Sequence, residues 1–352
     1  MDAPGDDNPA SPSLRGDGRP RLVGRVGSLD AFWPLIEPIL ESLQPRRLCE
    51  IGVDQGIFTD RLLAWTREQG GTYVGIDPAP DPAAVEKISP PGSLVLGRSL
   101  EVLPGLEPCD AYFIDGDHNY HTVRHELALI ARATPAVGPV VFAHDVGWPW
   151  ARRDMYHAPG TLPPEARHPA AADLGVSLES AELVAGGLRS PGRYAIAHRA
   201  GGERNGVLTA VEDFLRDDAG RDWRAVIVPM AYGLAILYRP AAVPEPCRAA
   251  LERLDAACTT LGPFLESCEA NFLSLYLYAE AAKAQADAYQ ELRGAYEELA
   301  SVHRGLDDAY GALTSAYQDL SVHSEKLLEE YHRLRDAHSA LERSSRREEG
   351  IP

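Results

Sequence analysis

The chain lacks long hydrophobic runs and has few cysteines. No stretch of about 18 apolar residues occurs among its 352 residues, which excludes a membrane-spanning helix. The N-terminal segment has neither an apolar core nor a basic start, so we expect no secretory signal. The five cysteines contain no CxxC pair, which argues against a disulfide framework or a zinc knuckle. The predicted location is therefore a reducing cytoplasm, with Cys49 and Cys109 as buried thiols in or beside strands.

The chain is also poor in positive charge. It has 34 Lys and Arg residues against 52 Asp and Glu residues, for a formal net charge of −18. Nucleic acids and anionic membrane surfaces both require a basic face, so neither is expected as the main partner. With 45% hydrophobic and 24% charged residues, the composition is that of a globular protein with a sizeable core.

Short apolar runs alternate with helical periods between residues 28 and 240. The predicted strands are 46–51, 72–76, 93–96, 111–114, 139–143, 223–228 and 233–238. Helical segments separate the first five, and this order favours a parallel sheet covered on both faces. The turn between the last two strands is short, so these two pair antiparallel. The sequence predicts an α/β fold: a doubly wound, mostly parallel, seven-stranded sheet with one antiparallel strand.

The chain divides into segments of different composition. Residues 147–204 are rich in glycine, proline, arginine and aromatics with weak periodicity, and a loop of this length indicates a functional insertion over the active site. The predicted segments are a disordered lead-in (1–22), a catalytic domain (23–240) containing that insertion, a helical connector (241–288) and a coiled coil (289–345).

The C-terminal prediction depends on a heptad repeat. Leucine recurs eight times at intervals of seven, from Leu292 to Leu341, and the position three residues before each leucine is Tyr, His or Ser. Strict sevenfold spacing of this length predicts a long α-helical coiled coil that joins copies of the chain into a homo-oligomer. The alternative is a single solvated helix, which would leave every leucine in water.

Two features at strand ends are typical of nucleoside binding. Glu50-Ile-Gly52-Val-Asp-Gln-Gly56 follows a strand and opens a helix, where glycine permits a tight turn and a close ligand approach. Asp77 ends the next strand, where an acid can accept hydrogen bonds from a ribose diol. Taken singly, the first motif could be a structural turn and Asp77 a helix cap.

Ionisable residues follow two further strands. Asp115, Asp117 and His118 come after the run Tyr112-Phe-Ile, and His144-Asp145 comes after Val140-Val-Phe-Ala. Such strand ends meet at one edge of the sheet. Carboxylates and imidazoles together suit a divalent ion such as Mg²⁺ or Mn²⁺, and they also suit a general base. For each residue taken alone, capping or a solvated loop is the favoured explanation, and only the two strand ends together indicate a function.

These motifs resemble class I S-adenosylmethionine-dependent methyltransferases. The resemblance is carried by Glu50-x-Gly52-x-x-x-Gly56, Asp77, Gly97-Arg-Ser99 and Ile114-Asp-Gly-Asp-His118-x-Tyr120. The chain looks most like the O-methyltransferase branch that includes macrolide-sugar, rhamnosyl and catechol-type enzymes. The similarity covers residues 45–145 and 205–240 and implies a Rossmann-like fold with S-adenosylmethionine as cofactor.

The resemblance also implies roles for individual residues. Cofactor-binding residues would be Glu50 behind the turn, Gly52 and Gly56 at the methionine part, Asp77 at the ribose, Ser99 at the adenine, and Asp115. Asp115, His144 and Asp145 would form the metal site, although the family often has two adjacent carboxylates where this chain has His144-Asp145. His118, His144 and Asp115 are the catalytic candidates, with His118 either a base or a further metal ligand.

The beginning of the insertion is the candidate acceptor site. Trp148, Trp150 and Tyr156 could stack on sugar or aromatic rings, and Arg152 and Arg153 could pair with a phosphate or carboxylate. The alternative is a hydrophobic plug with surface arginines.

The sequence thus predicts an O-methyltransferase that acts on a hydroxyl of a sugar, glycan or glycosylated metabolite, with a divalent metal as an optional assistant. One alternative is a partner of a hydroxylating or methoxylating system on the same fold. Another is a non-catalytic scaffold that binds nucleosides and oligomerises.

Overall fold

The computed structural model describes residues 27–134, 138–185, 187–188 and 194–348. The lead-in predicted to be disordered, residues 1–22, lies outside this range. The chain forms two compact units, which meet in the sequence between Ala281 and Ala282. None of the described helices combines the length and the low polarity that crossing a membrane requires.

Ten strands occur within the described residues. They are β1 (Arg47–Ile51), β2 (Thr72–Asp77), β3 (Gly92–Leu96), β4 (Ala111–Ile114), β5 (Val140–His144), β6 (Met155–Tyr156), β7 (Ala170–Ala171), β8 (Ala195–Ala197), β9 (Arg224–Val228) and β10 (Leu234–Tyr238). Seven of them form the main sheet in the order β3-β2-β1-β4-β5-β10-β9. β10 runs antiparallel to both of its neighbours, and the other pairs are parallel. The predicted fold class is therefore confirmed, including the single antiparallel strand.

Helices cover both faces of this sheet. They are α1 (Trp33–Leu43), α2 (Ile57–Gln69), α3 (Pro82–Lys87), α4 (Ser99–Val102), α5 (Tyr120–Ala133), α6 (Val207–Arg216) and α7 (Glu245–Glu348). A 3-10 turn, Leu29–Phe32, leads directly into α1, where Pro34 fits the first turn of an α-helix.

Alternate residues of the central strands point to opposite faces of the sheet, where they belong to two separate hydrophobic cores. Leu48 and Phe113 point to the face packed by α1, α2 and the start of α7, whereas Ile51 and Ile114 point to the face packed by α5 and α6. A strand buried on both faces has no polar alternation, which is why β4 and β5 read as continuous apolar runs in the sequence.

The strand order places a topological switch at the pair β1 and β4. Both β2 and β4 are parallel neighbours of β1, so the chain leaves β1 in one direction and later returns on its other side. In open α/β sheets the ligand site lies outside the carboxyl ends of the strands at this point.

The insertion 147–204 contains a sheet of its own. β6, β8 and β7 pair antiparallel in that order around a small core that includes Trp150, Met155 and Val176. Strands of two or three residues are too short to produce a visible alternation, so the sequence suggested only irregular structure.

The C-terminal helix is continuous from Glu245 to Glu348, with Pro263 inside it. Its beginning belongs to the main core, since Val243, Cys247 and Leu251 are buried there. We therefore propose that the catalytic domain extends past the predicted boundary at residue 240. Cys49 and Cys109 are free and buried, as expected.

Candidate active site

The loop after β1 is pressed against the end of β4. Gly52 has φ +93°, and a Cβ built on it would lie 2.3 Å from the carbonyl oxygen of Asp115. The Asp115 N–H donates to the Ile51 carbonyl at 2.9 Å, which continues the β1–β4 pairing to this point. Only glycine combines this conformation with so close a backbone approach.

Gly56 ends the same loop at the start of α2. It also has positive φ, +72°, and an added Cβ would lie 2.9 Å from the Cβ of Ala84. Both predicted glycines thus have a structural reason for their identity within the protein itself. Their approach to a cofactor remains a prediction.

Asp77 holds the glycine loop in place. One carboxylate oxygen accepts from the N–H groups of Val53 (2.9 Å) and Asp54 (3.0 Å), and the other accepts from Ala79 (2.7 Å). A carboxylate has about four acceptor positions, and three are occupied here. One position therefore remains for a hydroxyl donor such as a ribose.

Glu50 supports the loop from behind. It is 2% exposed, and its Oε2 accepts from Thr59 at 2.7 Å and from the Tyr73 hydroxyl. Burial raises the pKa of Glu50 to about 8, against the opposing effect of these two hydrogen bonds. Its two hydrogen-bond donors, Thr59 and Tyr73, lie within the protein, and its contact with a cofactor remains a prediction.

Ser99 begins α4 and is buried. It lies near Glu126, a residue that the sequence analysis did not identify. Glu126 of α5 is fully buried, and neither carboxyl oxygen has a hydrogen-bond partner among the described residues. Burial raises its pKa to about 8, against smaller opposing effects of Ser99 and His118. The available signal was its position in the apolar period Val123, Glu126, Leu127, Ile130.

Four side chains from the ends of β4 and β5 form one cluster. His144 Nδ1 lies 3.0 Å from Asp115 Oδ1 and 3.0 Å from Asp145 Oδ2. The same Asp145 oxygen contacts Nδ1 of His118. The side chains of His144 and Asp145 are almost fully buried, whereas those of Asp115 and His118 retain 17% and 15% exposure. The structure thus brings together all four predicted residues.

The electrostatics of the cluster are strongly coupled. Burial lowers the pKa of His144, but Asp115 and Asp145 outweigh burial and raise it to about 10. Burial is likewise outweighed at His118, where Asp145 and then Asp115 raise the pKa to about 9. Burial raises the pKa of Asp145, yet the two imidazoles hold it well below its usual range. The contacts with Asp145 and Asp115 thus favour the protonated form of both imidazoles.

The backbone at Asp145 is unusual. Its φ is +66°, a left-handed conformation that residues other than glycine adopt at a cost. Such conformations occur preferentially at functional sites.

Asp115, His144 and Asp145 could hold a metal. They offer one ligand atom each, all within 4.8 Å of one another. Two carboxylate oxygens and one imidazole nitrogen fit a divalent ion that accepts mixed donors, such as Mn²⁺, better than Mg²⁺, which prefers oxygen. Binding would require His144 to give up its Nδ1 proton.

Three of the predicted acceptor residues line a cavity of about 350 Å³ in the insertion. Its lining residues are Trp148, Pro149, Ala151, Arg152, Arg153, Val176, Ser177, Leu178, Glu179, Ser180, Ala181 and Ala200. The guanidinium groups are already engaged: Arg152 pairs with both oxygens of Glu212 at 2.7 and 2.8 Å, and buried Arg153 donates to backbone carbonyls. A phosphate would have to compete with these partners, and its predicted pairing with the two arginines remains a prediction.

Trp150 and Tyr156 are inside the insertion. Trp150 is 6% exposed and packs in its small core. The hydroxyl of fully buried Tyr156 donates to Asp154 at 2.9 Å and accepts from the His168 N–H at 2.8 Å. Burial of both rings is what the plug interpretation expects, and their contact with an acceptor remains a prediction.

A family model described as a methyltransferase domain, Methyltransf_24, matches residues 49–146. This range covers 98 of the 352 residues, from β1 to the residue after Asp145. No curated protein sequence matches the chain.

Similar solved structures include the methyltransferase PaMTH1 from Podospora anserina bound to S-adenosylhomocysteine, with 15% identity, a TM-score of 0.37, and coverage of 59% of this chain and 77% of that one. The O-methyltransferase TomG from Streptomyces achromogenes has 17% identity and a TM-score of 0.35, with coverage of 60% and 80%. The amino pentose methyltransferase CalS10 from Micromonospora echinaspora has 15% identity and a TM-score of 0.35, with coverage of 60% and 90%.

Likeness at this level carries no argument about substrate, and the strand order itself defines the fold. Residues 49–146, which contain Gly52, Asp77 and the whole Asp115–Asp145 cluster, are therefore similar to a methyltransferase domain.

Proposed function

We propose that the protein is an S-adenosylmethionine-dependent O-methyltransferase that acts on a hydroxyl of a sugar, glycan or glycosylated metabolite. One observation carries the proposal: the predicted residues form an unbroken chain of contacts across the sheet edge. Asp77 binds the loop that contains Gly52, and Gly52 abuts Asp115. His144 then joins Asp115 to Asp145, which contacts His118.

The chemistry needs few protein groups. The cofactor would supply a methyl group on a positively charged sulfur, which is already a good leaving group. The carboxylates at the strand ends favour this positive charge, and the remaining acceptor position of Asp77 would hold a ribose hydroxyl. The protein must also align the acceptor hydroxyl and exclude water.

His118 is the proposed proton acceptor. Its raised pKa favours the protonated ring, so it accepts the hydroxyl proton only after it has released its own proton to solvent. It is the more exposed of the two clustered imidazoles and is therefore the one suited to this exchange. Asp145 orients its ring through Nδ1. In this arrangement Asp145 and His144 act as positioning residues.

A divalent metal is an optional part of the proposal. Asp115, His144 and Asp145 would hold it, and a bound ion would lower the proton affinity of a substrate oxygen. Without an ion, the protonated imidazole of His144 pairs with the carboxylates of Asp115 and Asp145.

The cavity beside Trp148 is the proposed site for the rest of the acceptor. Its lining combines the indole of Trp148 with the polar groups of Ser177, Glu179 and Ser180. Aromatic faces with a few polar groups are suited to sugars, whose rings have apolar C–H faces and hydroxyl edges. The engaged arginines would shape the wall through their aliphatic parts.

The coiled coil is the proposed oligomerisation element. The eight heptad leucines are each 57–69% exposed in the single chain. Burying apolar surface contributes about 25 cal/mol per Å², so pairing this stripe with another copy of itself is strongly favoured over leaving it in water. The cytoplasmic location remains a prediction from the cysteine usage.

Cofactor binding and methyl transfer test the proposal together. In calorimetry, S-adenosylhomocysteine should bind the wild type, and Asp77→Asn should weaken binding at least tenfold because one of its two acceptor oxygens is lost. Exposed Asp173→Ala serves as the control. His118→Asn should bind S-adenosylhomocysteine normally yet transfer no label from methyl-labelled cofactor to a metabolite extract, with or without Mn²⁺.

Absence of S-adenosylhomocysteine binding to the wild type would overturn the proposal. Binding without label transfer to any extract, equal in wild type and His118→Asn, would support the non-catalytic scaffold instead.

A further inference from the structure

Helix α7 has an exposed apolar face before the predicted coiled coil begins. Between residues 261 and 278 one side of the helix packs on the catalytic unit: Leu273 is buried, and the Tyr276 hydroxyl lies 3.5 Å from the Tyr232 hydroxyl in the turn before β10. On another side, six exposed residues recur at alternating intervals of three and four. We call them the upstream face: Leu261, Phe264, Cys268, Asn271, Leu275 and Tyr278. Its four large apolar side chains are 50–76% exposed.

The upstream face has the sequence register of the heptad leucines. Leu275 precedes Tyr289 by two heptads, and Tyr278 precedes Leu292 by the same interval. The other members of the face continue this spacing toward the N-terminus. Because a coiled coil is defined by such a register, a partner that covers the heptad leucines is suited to cover the upstream face as well.

The upstream face is uncharged, although the chain as a whole is acidic. Neither its six residues nor those that flank it at positions 265, 267, 272, 274 and 279 include Asp, Glu, Lys or Arg. Two copies of a chain with a net charge of −18 repel each other, so contact between identical faces requires a surface without charge. The nearby acids Glu266 and Glu269 lie outside the face. A second copy of the chain is therefore the partner that this face fits.

Two amides in the heptad register indicate the direction of pairing. Asn271 belongs to the upstream face, and Gln285 occupies the equivalent position two heptads later. A buried amide needs both a donor and an acceptor, and another amide opposite supplies both. In a parallel, in-register pair each residue faces its own copy, so both amides are satisfied. An antiparallel pair that joins them would be centred on Tyr278 and would leave the leucines from Leu299 onward opposite residues that precede the upstream face.

We infer that the upstream face is the first part of a parallel, in-register interface with a second copy of the chain, so that the contact begins at Leu261 and not at Tyr289. The inference rests on the proposed coiled coil and extends it into the predicted helical connector. Residues 261–278 belong to the same compact unit as the candidate active site. The pairing would therefore hold two catalytic units together directly, and not only through the later heptads.

Oxidative cross-linking of the full chain tests this inference, because Cys268 is exposed on the face whereas Cys49, Cys109 and Cys247 are buried. Copper–phenanthroline oxidises two thiols to a disulfide only where they come close together. On a non-reducing denaturing gel, the wild type should shift to twice the mass of the chain, and Cys268→Ser should not. Cys258→Ser removes the remaining accessible thiol and should cross-link like the wild type.

Two cysteines introduced into Cys268→Ser serve as position controls. Leu306→Cys lies at a heptad leucine and should restore the covalent dimer. Glu266→Cys is close to Cys268 in the sequence and exposed, but it lies outside the upstream face and should give no dimer.

The inference is wrong if the wild type sediments as an oligomer and cross-links through Leu306→Cys but not through Cys268, since the interface would then begin later. Equal cross-linking through Glu266→Cys and Cys268 would also overturn it, because the thiols would be meeting by random collision. An oligomer that cross-links at neither seam position would exclude parallel pairing. A monomeric wild type would instead overturn the proposed coiled coil itself, and so separates the two failures.

Discussion

Glu50 and Glu126 are buried carboxyl groups whose protonation is coupled to folding. Burial raises the pKa of each to about 8, from an ordinary value near 4.5. Between these pH values the folded chain keeps protons that the unfolded chain releases, so the free energy of unfolding falls as pH rises. The stabilisation is complete below about pH 4.5 and is lost as the pH passes through 8.

The first prediction concerns this pH dependence. In Glu50→Gln the group can no longer ionise, so its stability should decline less between pH 5 and pH 9 than that of the wild type. One pKa unit corresponds to about 1.4 kcal/mol, and we expect the variant to gain at least that much relative to the wild type over this range. Urea unfolding at both pH values measures it. Parallel pH curves would contradict the prediction, and exposed Glu86→Gln should give them.

The second prediction separates steric overlap from backbone strain. Gly52 and Gly70 both have positive φ, but only Gly52 has a backbone atom within 2.3 Å of an added Cβ, whereas Gly70 has nothing within 4 Å. Gly70→Ala should therefore cost about 1–2 kcal/mol. Gly52→Ala should cost clearly more and abolish S-adenosylhomocysteine binding. Chemical denaturation measures the loss of stability, and calorimetry measures the loss of binding. If both variants lost the same stability, the close approach of Gly52 to Asp115 would not be the reason for glycine at this position.

Among individual residues, the sequence alone identifies those whose role follows from their position at the end of a strand. Asp115 and Asp145 could be found because each directly follows a buried apolar run. Arg152 was assigned a ligand because its partner, Glu212, lies 60 residues away in α6. Nothing local in the sequence marks that pairing.

Among the elements, one buried carboxylate joins the insertion to two helices, and the sequence analysis did not identify it. Asp154 accepts from the Tyr120 N–H at 2.8 Å, the Gly206 N–H at 2.7 Å and the Tyr156 hydroxyl at 2.9 Å. It therefore joins the insertion to the first residues of α5 and to the residue before α6. The residues next to Asp154 in the sequence do not distinguish this buried aspartate from a solvated aspartate in a turn.

The third prediction tests this junction. Asp154→Ala leaves two buried N–H groups without partners, and each should cost about 1–3 kcal/mol. We expect a large fall in the melting temperature, with Asp173→Ala, an exposed aspartate of the same insertion, unchanged. A melting temperature within 1–2 °C of the wild type would mean that the insertion is held elsewhere.

The directions of the strands in the main sheet were predictable from the alternation of strands and helices along the chain and from one short turn. The segment 229–233 forces β9 and β10 to pair antiparallel, and the regular helix–strand alternation accounts for the parallel strands. The methyltransferase prediction is supported over residues 49–146 by the family model that they match. The small sheet of the insertion was not predictable, since its strands pair over distances of up to about 40 residues.

At the scale of the whole molecule, self-association is expected to depend on the heptad leucines. The fourth prediction is that the wild type sediments as an oligomer, whereas Leu306→Asp with Leu313→Asp sediments as a monomer, because charges would occupy the buried seam. Ser301→Asp with Ser315→Asp adds the same charge on the outer face of the same helix and should leave the mass unchanged. A monomeric wild type at micromolar concentration would contradict the coiled coil.

The start of α7 affects how the protein can be shortened. Cys247 and Leu251 are buried in the main core, and Leu273 is still only 4% exposed. A fragment that stops after Tyr238 would expose a hydrophobic face and is expected to aggregate during expression. The smallest version worth purifying for crystallisation should therefore retain the helix through Leu273, although the residues proposed for proton transfer and for the metal all lie at or before Asp145.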